Sequence, residues 1–111
     1  MKKDRSDSTA SEHAVLIHIP ADDPRFDYES FGLDQVEDPI IVALEREGIG
    51  ELDGNMIGGD EAIIYLYGRD ADRVYDAIAP VLGCLALPHG TVVVKRYGGP
   101  GAKTVRVPLT G

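Results

Sequence analysis

Apolar and polar positions along the chain predict five strands and two helices. The stretch of residues 62–67 is filled by β-branched, aromatic and other apolar residues, which is typical of a strand. The predicted strands cover residues 14–19, 52–56, 62–67, 91–97 and 105–109, and the predicted helices cover residues 39–47 and 71–82. The element order is therefore β-α-β-β-α-β, with one extra strand at the C-terminal end.

Local residue choices predict the ends of the first helix. Asp38 is typical of an N-cap, and Pro39 is typical of the first helical position. Gly48 is typical of the residue that follows a last helical turn, because glycine adopts positive φ without strain. We therefore expect this helix to begin at Pro39 and to end before Gly48.

The second predicted helix has its own start and stop residues. Asp70 is the expected N-cap, and the neighbouring Asp72 is expected to contribute only through the helix dipole. Pro80 removes one backbone hydrogen bond and is expected to kink or end the helix near its last turn, where Gly83 can terminate it. The buried stripe is predicted to consist of Ala71, Val74, Ile78, Val81 and Leu82.

Short connections and right-handed crossovers then favour a ferredoxin-like α+β fold. The sheet is expected to be antiparallel with strand order 2-3-1-4, the fifth strand outside the fourth, and both helices on one face. Residues 13–111 are expected to form this single α+β domain, because a chain of 111 residues suits one domain. Residues 1–12 are polar and are expected to be a disordered tail.

The residue pattern of the third predicted strand indicates that the sheet has an apolar surface which the helices do not cover. Ile63, Tyr65 and Tyr67 share one of its faces, and the intervening residues share the other. If the helices cover the second face, the tyrosines line an open sheet surface, which serves as a dimer interface or as the floor of a ligand site. The alternative is that the tyrosines face the helices and the intervening residues are open.

Net charge and cysteine content limit the classes of function. The net charge of −8 argues against a general nucleic-acid binder, whose surface is basic. A single cysteine, Cys84, allows no intrachain disulfide, so we expect a reducing compartment and a buried, inert thiol. No apolar leader segment and no apolar run of about 18 residues occur, so we expect a cytoplasmic protein that does not bind membranes.

The charge is distributed unevenly along the sequence. Residues 31–76 contain twelve acidic and three basic residues, a net of −9, whereas residues 77–111 contain four basic residues and no acidic one. This asymmetry predicts two surfaces of opposite sign, of which the acidic one suits a basic protein partner. The alternative is that the acidic surface serves only to keep the protein in solution.

The predicted hairpin carries the candidate binding residues. They are Asp53, Asn55, Asp60, Glu61, Tyr65 and Tyr67. Clustered carboxylates of this kind bind Mg²⁺ or Ca²⁺ in some proteins, but the spacing here matches no calcium loop, and a solvated acidic edge is the favoured interpretation.

The turn Gly58-Gly59-Asp60-Glu61 resembles the signature turn of diguanylate cyclases, which also lies on a hairpin of a ferredoxin-like core. In that family an aromatic residue follows the turn, where this chain has Ala62. The family also has a metal-binding aspartate at the end of its first strand, where this chain has His18-Ile19-Pro20. Tight hairpin turns select glycine and aspartate in any case.

No other pattern indicates catalysis, a metal site or a cofactor. His13, His18 and His89 lack the spacing of metal ligands, and His18 is expected to be a core or edge histidine. The sequence therefore favours a small non-catalytic interaction or ligand-binding module that forms a homo-oligomer through its sheet. The alternatives are an acidic inhibitor or immunity-type protein that binds a basic partner, and a small metal-dependent enzyme that uses the hairpin carboxylates.

Overall fold

The computed structural model describes residues 12–20, 34–58, 61–85 and 87–109. The tail predicted for residues 1–12 lies outside the described residues except for Glu12, and so does the candidate binding residue Asp60. Both remain predictions from the sequence.

The chain forms an α+β structure with five strands and two helices, as the sequence predicts. The elements are β1 (His13–Pro20), α1 (Asp34–Glu47), β2 (Gly50–Gly58), β3 (Glu61–Gly68), α2 (Ala71–Cys84), β4 (Val92–Arg96) and β5 (Thr104–Pro108). The strands form one sheet in the order β2-β3-β1-β4-β5, and each neighbouring pair is antiparallel. The fifth strand thus lies outside the fourth, where the sequence places it.

One face of the sheet and both helices enclose the core. Ile17 of β1 lies opposite Ile64 of β3 and Val93 of β4, and all three side chains are fully buried. The helices contribute Val36, Ile40, Leu44, Ala71, Val74, Ile78 and Leu82 to the same cluster. Burial of this apolar area is the main stabilising term of the fold, and it places both helices on one side of the sheet.

The predicted start of α1 is wrong by about one helical turn. The helix begins at Asp34 and contains Pro39, because Val36 in the first turn is fully buried in the core. Pro39 is the sixth residue of the helix, and its missing N–H group leaves the carbonyl oxygen of Gln35 without a helical donor. The predicted end is confirmed: Gly48 has φ of 65° and donates its N–H to the carbonyl oxygen of Leu44 at 2.8 Å.

The start of α2 is confirmed, and its end lies further along the chain than Gly83. The Asp70 carboxylate accepts hydrogen bonds from the N–H groups of Asp72 and Arg73. Despite Pro80, the helix continues to Cys84, because Leu82 beyond the proline is buried against the sheet. The carbonyl that loses its partner to Pro80 belongs to exposed Asp76, where water can hydrate it.

A β-bulge alters the predicted alternation of β2. Leu52 lies opposite Leu66 and Gly54 lies opposite Tyr65, so Asp53 is one extra residue in β2 relative to β3. Leu52 consequently packs on the helix side, whereas Met56, opposite Ile63, faces the other side. The simple period-2 alternation predicted for residues 52–56 is wrong for this reason.

The two edges of the sheet differ. Within the described residues, no strand pairs with the outer edge of β2 or of β5. The β2 edge exposes Met56 and Ile57, each more than half accessible at 56% and 58%. The β5 edge contains Pro108, which has no N–H group, and the charged Arg106, and both features discourage strand pairing.

The prediction that Cys84 is buried is wrong. Its side chain is exposed at the end of α2, because position 84 falls outside the buried stripe that includes Ile78 and Leu82. In the described part of the chain, no helix is both long and apolar enough to cross a membrane.

Candidate functional site

The face of the sheet opposite the helices is the candidate site, and we call it the open face. Leu16 lies at its centre, opposite Tyr65 of β3 and Val94 of β4. All three side chains are half-buried. The open face also carries Ile63, Tyr67, Val92 and Met56. The structure therefore confirms that the tyrosines of β3 share the face that the helices do not cover.

The two faces differ in burial at the centre of β1. Ile17, which faces the helices, is fully buried, whereas its neighbours Leu16 and His18 are partly accessible. Both described helices pack on the Ile17 side, so the apolar side chains of the open face retain contact with solvent. Apolar side chains that stay partly accessible on one face of a sheet are candidates for contact with another molecule.

Charged residues divide the open face into two sides. Glu51 and Glu61, on β2 and β3, form its acidic side; Arg96 and Arg106, on β4 and β5, form its basic side. The apolar row lies between them. The asymmetry of charge along the sequence thus becomes a separation of charge across the strands.

A concavity of about 600 Å³ lies at one end of the open face. It is lined by His18, Pro20, Gly58, Glu61, Gly90, Val92 and Arg106. Nδ1 of His18 lies 3.4 Å from Oε1 of Glu61, and their side chains are 28% and 47% exposed. This site joins an imidazole, a carboxylate and a guanidinium from three different strands.

The predicted binding residues do not all lie together. Glu61, Tyr65 and Tyr67 share the open face, as expected. Asp53 is exposed at the bulge of β2. Asn55 points to the helix side, where its amide donates to Oε2 of Glu37 at 2.6 Å, so it fastens β2 to α1 and does not belong to the open face.

His18 and Arg106 were not predicted from the sequence as residues that border one concavity. His18 lies on the central strand and is half-buried on the open face, neither in the core nor on an edge strand. Its neighbour Glu61 is 43 residues away along the chain, so only the β1–β3 register brings the two together. The one available sequence signal was the alternation that places His18 on the same face as Leu16.

A second polar cluster lies on the helix side of the sheet. Oδ1 of Asp72 accepts hydrogen bonds from the hydroxyl of Tyr97 at 2.6 Å and from Nζ of Lys95 at 3.0 Å. Nζ of Lys95 also lies 5.1 Å from the centre of the Tyr75 ring, within the range of a cation–π contact. These contacts fasten the first turn of α2 to β4, so the expectation that Asp72 acts only through the helix dipole is wrong.

The same contacts alter the protonation equilibria of the cluster. The Tyr97 hydroxyl, followed by the Lys95 ammonium, lowers the pKa of Asp72 below its usual range. The Asp72 carboxylate in turn raises the pKa of both Lys95 and Tyr97. All three shifts favour the ionised carboxylate with protonated partners. Asp72, Lys95 and Tyr97 therefore hold α2 against β4 at neutral pH, and we call these three residues the clamp.

No group of three His, Cys, Asp or Glu side chains in the described ranges is arranged to hold a metal ion. Comparison with known proteins returns no match to any protein-family model, curated protein or solved structure. The geometry and charge of the open face are therefore the features that bear on function.

Proposed function

We propose that the protein is a small non-catalytic interaction module that forms a homodimer through its open face. The observation that carries this proposal is the row of Leu16, Tyr65 and Val94, which is apolar and half-buried on the face away from the helices. A second layer of protein on this face would remove the row from water, which is favourable in proportion to the apolar area buried.

We further propose that the fold is ferredoxin-like. Each helix connects two strands that are separated in the sheet by one other strand: β3 lies between β1 and β2, and β1 lies between β3 and β4. Two such split β-α-β units make up that architecture. Proteins with this fold serve many functions, so the fold alone does not decide the role of this one.

The charge on the open face suits a second copy of the same chain. A two-fold axis between the copies and parallel to β1 places β2 of each copy over β5 of the other, and β3 over β4. The acidic side, with Glu51 and Glu61, then faces the basic side, with Arg96 and Arg106. A two-fold interface must be self-complementary, and this arrangement satisfies that condition in charge as well as in apolarity.

Sedimentation at micromolar concentration tests the proposal first. The wild-type protein should sediment with twice the mass of one chain. Tyr65→Glu should yield a folded monomer, because it places a charge in the apolar row. Val42→Glu is the matched control, since it adds the same charge at a position that is 53% exposed on α1, and it should remain dimeric. A wild-type monomer at high concentration would refute the proposal.

Charge reversal tests the orientation. The variant with Glu51→Lys and Glu61→Lys and the variant with Arg96→Glu and Arg106→Glu should each dimerise weakly, because each makes the two sides alike in sign. An equimolar mixture of the two variants should form a heterodimer, since it restores opposite charges across the interface. A mixture that associates no better than its components would rule out the proposed axis.

The two alternatives from the sequence make different predictions. An acidic inhibitor should be a monomer whose association with a basic protein slows as salt concentration rises. An enzyme that uses hairpin carboxylates should bind Mg²⁺ or Ca²⁺ in a titration, and Asp53→Asn should weaken that binding. Neither behaviour is expected of the homodimer.

A further inference from the structure

We propose that the concavity at the end of the open face binds a small molecule that carries an oxyanion, either a phosphate or a carboxylate group. The site lies beyond the apolar row of the proposed homodimer, and it shares Glu61 and Arg106 with the charged sides of that interface. It lies at one end of the face, near Gly58 at the end of β2, Glu61 at the start of β3 and Gly90 before β4.

The strand register brings two nitrogen-rich side chains to one opening. His18 of β1 lies opposite Val92 of β4, and Arg106 lies on β5, two residues from the partner of Val92. Two strand spacings and an offset of two residues separate their backbones by about 12 Å, and the long arginine side chain extends into the space between them. Val92 forms the floor between them, and both side chains line the same concavity.

Arg106 differs from the other cations of β4 and β5. Lys95 is bound to Asp72, and Nε of Arg96 donates to the carbonyl oxygen of Gly98 at 2.9 Å. The guanidinium of Arg106 makes no hydrogen bond or ion pair with the described residues, although it borders the concavity. A guanidinium offers paired N–H donors whose geometry matches carboxylate and phosphate oxygens.

His18 lies between the guanidinium and the carboxylate that border the concavity. Its Nδ1 is 3.4 Å from Oε1 of Glu61, and the ring lines the same space as Arg106. Glu61 belongs to β3 and Arg106 to β5, so the carboxylate lies on the opposite side of His18 from the guanidinium. An oxyanion near Arg106 is thereby kept away from the negative charge.

The walls of the concavity leave room for a ligand. Gly58 would meet no atom within 4 Å if it carried a Cβ, so the β2 side is open. Gly90 has φ of 97° in the turn before β4, a conformation that favours glycine, and it contributes backbone to the lining. A volume of about 600 Å³ is within the range of small-molecule sites.

Nuclear magnetic resonance of the full chain tests this proposal. Inorganic phosphate and acetate are titrated separately at constant pH and ionic strength while the ring resonances of His18 are followed. A saturable shift with either probe supports an oxyanion site, and the probe that binds more tightly identifies the preferred group. Absence of a saturable shift with both probes would overturn the proposal.

Two variants with equal changes of charge make the test specific. Arg106→Gln should weaken binding at least about tenfold, the usual loss when a charge-assisted hydrogen bond is removed. Lys103→Gln removes the same charge at an exposed position just before β5 and should leave the affinity unchanged. Equal weakening by both variants would mean general attraction by charge and would overturn the site. The monomeric variant Tyr65→Glu should still bind, so failure of the dimer and failure of this site are distinguishable.

Discussion

Gly50 and Gly68 face each other across β2 and β3, and Val74 of α2 packs directly against the pair. A Cβ atom on Gly68 would lie 2.5 Å from the carbonyl oxygen of Ile49 and 2.7 Å from Cγ2 of Val74. A Cβ atom on Gly50 would lie 2.6 Å from the carbonyl oxygen of Tyr67. The absence of side chains at both positions therefore lets the helix and the two strands approach closely.

Gly68→Ala should destabilise the protein, because the added methyl group has no space and backbone atoms would have to move. The expected loss is about 1–3 kcal/mol, the usual cost of overpacking. Gly58→Ala is the matched control, since nothing lies within 4 Å of a Cβ there. Urea denaturation measures both variants, and equal midpoints would show that the close packing around Gly68 is relaxed in solution.

The N-cap of α2 gives a second prediction. Asp70→Ala should cost about 1 kcal/mol, because the N–H groups of Asp72 and Arg73 lose their acceptor. Asp76→Ala removes the same side chain from an exposed position within the helix and should cost nothing. If thermal unfolding shows the two variants to be equally stable, the cap makes no contribution.

Asp72 should make stability depend on acid. Its pKa is lowered in the folded state, first by the Tyr97 hydroxyl and then by Lys95. Its stabilising contribution is therefore present above the ordinary aspartate pKa of about 3.9 and is lost as pH falls through the lowered value. The stability difference between the wild type and Asp72→Asn should be largest near neutrality and should shrink in acid.

Urea midpoints of both proteins across the acidic range measure this effect. Asp76→Asn changes the net charge equally at another exposed position of α2 and serves as the control. A wild-type advantage over Asp72→Asn that persists undiminished in strong acid would contradict the assignment of the clamp to the ionised carboxylate.

The thiol of Cys84 should react in the native protein. Because the side chain is exposed at the end of α2, Ellman's reagent should titrate one thiol per chain without denaturant, at a rate close to that of the unfolded chain. Reaction only after denaturation would place the thiol in a buried environment, as the sequence alone suggested.

Local patterns were enough to predict most of the fold. The alternation in β3 assigns Tyr65 and Tyr67 to one face, and Asp70 marks the start of α2, because each depends only on neighbouring residues. The start of α1 was missed because the burial of Val36 outweighs the local signal of Pro39. The bulge at Asp53 was missed because strict alternation of apolar and polar residues gives no sign that one extra residue is inserted in the strand.

The candidate sites depend on contacts between distant parts of the chain, and these were less predictable. Asp72 and Tyr97 are separated by 25 residues, so the clamp exists only once α2 packs beside β4. The concavity likewise needs β1, β3 and β5 in their final registers before His18, Glu61 and Arg106 border one space. Sequence patterns identify the face of each strand but do not show which side chains meet across three strands.

The unequal edges of the sheet have a consequence for aggregation. The β2 edge, with accessible Met56 and Ile57, is able to add another strand, whereas Pro108 and Arg106 make the β5 edge a poor acceptor. Continued edge-to-edge assembly of folded subunits requires each subunit to present two edges that are able to pair. Among the described strands only the β2 edge is suited to pairing, so one β2 edge pairs with another and assembly through the edges ends at two subunits.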